Sequence, residues 1–219
     1  RGGGETSMRA QELSAAVLSH LSGDSEDNVA AIAQSGGVRP LVALLTSLSP
    51  IAQARSAAVL SDMARSSKRN RSTIRNEGGI DPLVNLLAKD KDKDKDLNDK
   101  DKDKVLDAKA EAAGALLCLA AGQSETQKTI ADAGAIKLLV ALLGEEHDGA
   151  RKRAAGAIAA LSLGSTVNQD AVEKFNGIGR LVGLLESNIS DEVRAEAAAA
   201  LAVLSRGNKN IQDHVAKVG

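Results

Sequence analysis

An all-α chain built from stacked copies of one helical unit is predicted by three observations. The pattern L-V-x-L-L occurs four times, as LVALL at 41, LVNLL at 83, LVALL at 139 and LVGLL at 181. Five residues before each copy stands one that turns the backbone sharply at low cost: Gly36, Gly78, Gly134 and Asn176. Behind each copy runs an alanine-rich segment with apolar residues at helical spacing. The copies lie 42, 56 and 42 residues apart, and such self-similarity is the signature of a repeat architecture.

Each unit opens with a short stretch closing on Ile32, Ile74, Ile130 or Val172, four residues before the turn, and this predicts a first helix. The Gly or Asn ends that helix and swings the chain into the next. L-V-x-L-L supplies the apolar stripe of a second, medium helix. The segments "AQARSAAVLSDMAR", "AKAEAAGALLCLAAG", "RKRAAGAIAALSLG" and "RAEAAAALAVLSRG" form a third and longest helix. Within the last of these, Val193, Ala197, Ala200, Leu201 and Leu204 fall on one face.

This frame gives a disordered segment at 1–7 and a lone third helix within 8–24. Complete units follow at 25–66, 67–122, 123–164 and 165–207, and a first helix holding Val215 and Gly219 closes the chain at 208–219. No unit can bury its stripe alone, so stability comes from stacking on neighbours. The chain opens on Arg1 and both ends cut through a unit, so it reads as a piece of a longer protein.

The 56-residue interval holds 14 extra residues, among them "KDKDKDKDLNDKDKDK" at 89–104, with seven lysines and seven aspartates. The run lies inside one unit, between the second helix and a third helix expected to resume near Val105. Its alternation sets like charges at i,i+4 and Asp is a poor helix-interior residue, so a solvated disordered loop is predicted. An EF-hand is excluded, because the Gly at the sixth loop position and the Glu at the twelfth are missing.

Composition removes several function classes. The net charge of -1 gives no electrostatic reason to bind nucleic acid or a membrane surface. Phe175 is the one aromatic residue of the Phe, Tyr and Trp set, which leaves nothing to stack bases. Cys118 stands alone, with no secretory signal and no apolar run long enough to span a bilayer, so a reducing, cytoplasmic setting is expected. His20, His147 and His214 lie in distant units, so neither a metal site nor a catalytic triad is expected from them. No cofactor, metal or enzymatic activity is predicted, and Cys118 is read as a small apolar residue on a packing face.

The pattern Ile-x-x-x-Gly-[Gly/Ala]-[Val/Ile]-x-x-Leu-Val-x-Leu-Leu, followed by the alanine-rich helix, resembles the armadillo repeat over residues 8 to 219. The resemblance implies a right-handed superhelical solenoid of three-helix repeats, with third helices lining a concave groove. It implies a protein-interaction scaffold that binds a segment of a partner protein there. In the nuclear-import adaptors of this family a ladder of Trp and Asn grips a basic peptide. The matching positions here are Ala16, Ala58, Gly114, Gly156 and Ala199, then His20, Asp62, Cys118, Ala160 and Val203. That role is therefore disfavoured. One turn earlier lie Leu13, Arg55, Glu111, Arg153 and Glu196, and Arg65 and Arg206 stand near the helix ends. Arg55, Asp62, Arg65, Glu111, Arg153, Glu196 and Arg206 are thus the candidate binding residues. Their alternating signs fit a mixed-charge groove, or pairing of neighbouring helices with one another. The rival role is substrate recognition for a U-box ubiquitin ligase whose catalytic domain lies outside this sequence.

Overall fold

In the computed structural model, which describes residues 2–88, 97–186 and 188–218, the described residues form fourteen helices and no strand. The chain enters on α1 (Gly2–Asp24). Four three-helix units follow: α2 (Glu26–Gln34), α3 (Val38–Leu44) and α4 (Pro50–Ser66); α5 (Lys68–Asn76), α6 (Ile80–Leu87) and α7 (Asp99–Ala120); α8 (Ser124–Asp132), α9 (Ala135–Leu142) and α10 (Asp148–Ser162); α11 (Thr166–Lys174), α12 (Gly177–Glu186) and α13 (Asp191–Ser205). The last helix is α14 (Lys209–Val218).

Gly36, Gly78, Gly134 and Asn176 take φ of 77°, 74°, 84° and 62°, so each junction of first and second helix turns through a left-handed residue. The L-V-x-L-L copies lie on α3, α6, α9 and α12 and bury Leu41, Leu83, Leu139 and Leu181 completely. Third helices α1, α4, α7, α10 and α13 stack each on the next. One apolar core runs continuously from Val29 to Ile211. The first helices tie down the carbonyls that end the third helices. Asn28 donates to Leu21 O at 3.0 Å, Arg71 to Ala64 O at 2.9 Å, Asn168 to Leu161 O at 2.7 Å and Gln212 to Ser205 O at 2.8 Å, each seven residues back.

Two sequence expectations are corrected. The segment 1–7 was expected to be disordered, yet α1 starts at Gly2, because adding residues to a formed helix costs far less than nucleating one. The Lys/Asp run was expected to be a disordered loop over 89–104. Residues 89–96 lie outside the described residues, but α7 is already helical at Asp99. Asn98 caps it, its side chain accepting the Asp101 N–H at 3.0 Å, and Asp99 and Asp101 occupy the first turn, where the helix dipole favours acids. Alternation also brings opposite charges together at i,i+3. Lys104 meets Asp101 at 2.7 Å and Lys102 meets Asp99 at 3.5 Å, offsetting the i,i+4 repulsion.

Candidate functional site

The outward row of α4 carries Ile51, Arg55, Ala58, Asp62 and Arg65, three or four residues apart, with Ala54 beside Arg55, and none of the six is buried. Across from it α7 presents Lys104, Asp107 and Glu111, and between the two helices lies a hollow of about 370 Å³. Ile51, Ala54 and Ala58 supply its apolar surface; Arg55, Lys104, Asp107 and Glu111 supply its charges. A second hollow, of about 490 Å³, lies where α1, α2 and α4 meet and includes Asp62 and Arg65.

Small residues on this face let charged side chains lie flat. Arg153 crosses from α10 and donates to Glu111 Oε1 at 2.8 Å. Its chain passes over Gly114, where a Cβ would stand 3.1 Å from the Arg153 Cδ. Glu196 likewise lies over Gly156, where a Cβ would be 2.7 Å from its Oε1 and 2.5 Å from Leu117 Cδ1. Close approach of side chains from neighbouring helices, and no demand of the backbone, favours glycine at both positions, since their backbone is ordinary α-helix.

Burial pushes the Glu111 carboxyl above its ordinary value, the charges of Asp107 and Asp62 push the same way, and Arg153 and Arg55 oppose them. His147 caps α10 through Nδ1, which accepts the Ala150 N–H at 3.0 Å. Nε2 therefore carries the proton and faces Asp107 Oδ1 at 3.2 Å. Asp62 accepts from Ser22 Oγ at 3.0 Å and pairs with Arg65 at 3.3 Å. Ser61 Oγ lies 3.5 Å from Cys118 Sγ.

Of the seven candidate residues, Arg55 and Glu111 share the α4–α7 hollow, Arg153 joins them through Glu111, and Asp62 and Arg65 form their own pair one hollow away. Glu196 and Arg206 stand on or just beyond α13, and Arg206 is exposed. Pairing of neighbouring helices thus holds for Glu111 with Arg153, whereas Arg55 makes no ion pair among the described residues. Sequence reasoning missed Asp107, Lys104 and His147. Extending the charged row by one more turn finds Asp107, whereas Lys104 had been assigned to the loop. Among the described residues no cluster of His, Cys, Asp and Glu is arranged to hold a metal, and no helix is long and apolar enough to cross a membrane.

The family model described as the armadillo/beta-catenin-like repeat matches residues 25–65. The chain is 31% identical to an engineered protein solved by the Northeast Structural Genomics Consortium, over 97% of this chain and 80% of that one, with a TM-score of 0.81. It is 25% identical to a designed armadillo repeat protein, over 95% and 81% of the two chains, with a TM-score of 0.78. It is also 25% identical to a computationally designed armadillo repeat protein for modular peptide recognition, over 97% and 87%, with a TM-score of 0.77. A search of curated proteins gave no significant match.

Proposed function

This chain belongs to the armadillo repeat family, and on that premise we propose that it is a non-catalytic scaffold binding an extended segment of a partner protein along its third-helix face. The observation that carries this reading is the α4–α7 hollow, where an exposed guanidinium stands over small apolar residues and beside two carboxylates. Arg55 offers N–H donors in a planar fork to a partner carboxylate or backbone carbonyl. Asp107 and Glu111 take a partner cation, which relieves their mutual repulsion. Ala54 and Ala58 admit a side chain between them. A designed relative at 25% identity is described as serving peptide recognition, and the same use of the face is proposed here. Without a Trp and Asn ladder, the grip comes from charge pairing in a half-buried cleft instead of indole stacking.

Selecting peptides from a display library against the immobilised chain tests this. Selected peptides are expected to lose affinity about tenfold or more with Arg55→Glu, a change of about 1.4 kcal/mol. They should bind Ala141→Glu, on the exposed side of α9, as they bind the unaltered protein. Peptides indifferent to Arg55→Glu but lost with Ala141→Glu, or a library that yields no binder, would overturn the assignment.

A further inference from the structure

Each turn from a third helix into the next first helix carries two positions that stay open to solvent. Two residues before the residue that caps the first helix stand Arg65, Ala121, Leu163 and Arg206, and two residues after it Arg69, Glu125, Val167 and Asn210. All eight are exposed. The turns at Arg65, Ala121 and Leu163 have third helices packed on both sides, so the exposure belongs to the position in the unit. The α10–α11 turn alone fills both positions with large apolar side chains, Leu163 at 48% and Val167 at 76% exposed. A single exposed apolar residue is ordinary, but these two flank one turn where the others hold Arg, Glu, Asn or Ala. Ala160 and Val203, both half-buried, lie one helical turn back on α10 and α13, in the row of Asp62, and extend the apolar surface toward the groove.

Buried amides hold this turn in place. Gln127 of α8 donates to Ala160 O at 2.7 Å and to Leu163 O at 3.4 Å, and Asn168 donates to Leu161 O at 2.7 Å. Gln169 Nε2 lies 3.4 Å from Ser162 O and 3.4 Å from Arg206 O. One nitrogen therefore bridges the α10–α11 and α13–α14 turns, and those two carbonyls are no further apart than twice that distance. Arg206 thus stands beside the Leu163 turn, and its side chain makes no ion pair among the described residues. Asp170, three residues beyond Val167, accepts from Asn208 Nδ2 at 2.9 Å.

We infer that this turn is a second anchor of the groove, taking an apolar side chain of the partner segment on Leu163 and Val167 and a nearby carboxylate of that segment on Arg206. It rests on the reading of the third-helix face as a site for a partner segment. Charge complementarity selects the carboxylate, since Arg206 is an exposed cation beside an apolar surface and its planar fork suits a carboxylate. Covering Leu163 and Val167 selects the apolar side chain. The closeness of the two turns sets both groups within about three residues of each other in an extended segment. With the backbone of the turn already fixed, binding orders only the partner and a few surface side chains.

Display selection on the immobilised chain provides the test. Peptides that depend on Arg55 should carry an aliphatic or aromatic residue within about three positions of an Asp or Glu. They should lose affinity about tenfold with Leu163→Asn plus Val167→Thr, and about tenfold with Arg206→Glu. Replacing the acidic residue of such a peptide by Lys should weaken its binding to the unaltered protein and restore its binding to Arg206→Glu. That exchange also shows the variant to be folded. Arg55-dependent peptides that lack the apolar–acidic pair, that ignore these substitutions or that are not restored by the exchange would overturn the second anchor and leave the groove reading standing. A library in which no binder depends on Arg55 would overturn the groove reading and the anchor with it.

Discussion

Glu111 sits at the root of the α4–α7 hollow with Asp107 and Asp62 close enough to resist its ionisation and with Arg153 bonded to it at 2.8 Å. Aligning the repeats placed Arg55, Glu111, Arg153 and Glu196 at one equivalent position of successive third helices, because the repeat register equates them even though they lie on four different helices. It could not show that Arg153 lies down across Gly114, since that depends on the missing Cβ of a neighbouring helix. The capping role of His147 was missed for a related reason: a histidine just before a helix reads as a loop residue until its ring is seen to accept the Ala150 N–H. The raised pKa of Glu111 has a definite consequence for stability. Folding favours its protonated form, so its contribution is fully present below the ordinary value of 4.5 and is lost as pH rises through the folded value. Measured against Glu111→Gln by urea unfolding, the wild type should therefore lose relative stability between pH 4.5 and neutrality. The exposed carboxylates of Asp148 and Glu192, whose pKa values are lowered, act in the opposite sense below this window and are common to both proteins. A stability difference that stays level, or grows in favour of the wild type as pH rises, would show that Arg153 outweighs burial at this site.

Elements in this chain begin and end where side chains satisfy orphan backbone groups, and only some of those groups announce themselves in sequence. The left-handed turns at Gly36, Gly78, Gly134 and Asn176 did, because a fixed offset from L-V-x-L-L marks them. A second set, Gly122, Gly164 and Gly207, with φ of 67°, 75° and 74°, follows the third helices and was passed over. Its signal was present, since a glycine closes three of the four alanine-rich segments. The clamps from first helices to the carbonyls seven residues back were not legible, because Asn, Arg and Gln perform the same task in different units. Their energies are predictable from burial. Asn168 and Asn28 occupy equivalent positions and make the same bond, but that of Asn168 is buried whereas that of Asn28 is exposed. Asn168→Ala leaves the Leu161 carbonyl without its partner and away from water, and should cost about 1–3 kcal/mol. Asn28→Ala exposes the Leu21 carbonyl to solvent and should cost about 0.5 kcal/mol. Urea midpoints at unchanged m-value measure both. Equal costs would mean that burial does not decide the strength of these clamps.

Across the whole molecule, the fold was the most legible feature, because a stacked array repeats its instructions and each copy of the pattern corroborates the others. The interruption of that pattern was the least legible. The Lys/Asp run has a composition that solvates well in any conformation, so composition could not reveal that Asn98 caps a helix already formed by Asp99. The i,i+3 pairs of Lys102 and Lys104 depend on that cap, since they exist only once the first turn is wound. The energetic weight of the whole interruption follows from where the core begins. None of Asp99 to Lys104 is buried, and the first buried residue of α7 is Val105. Deleting Asp90 to Asp103, 14 residues, restores the 42-residue period, and among the described residues it removes the Asn98 cap and just over one turn of α7, none of it buried. The deletion should therefore cost about 1 kcal/mol, the worth of an N-cap, and Asn98→Ala in the full chain should reproduce most of that loss. Circular dichroism should show the loss of the Asp99–Asp103 turn as a small decrease in helix, while the cooperative melting of the array is retained. Because units touch only their neighbours, destabilisation of several kcal/mol would show that the exposed start of α7 supports the α4 and α10 junctions.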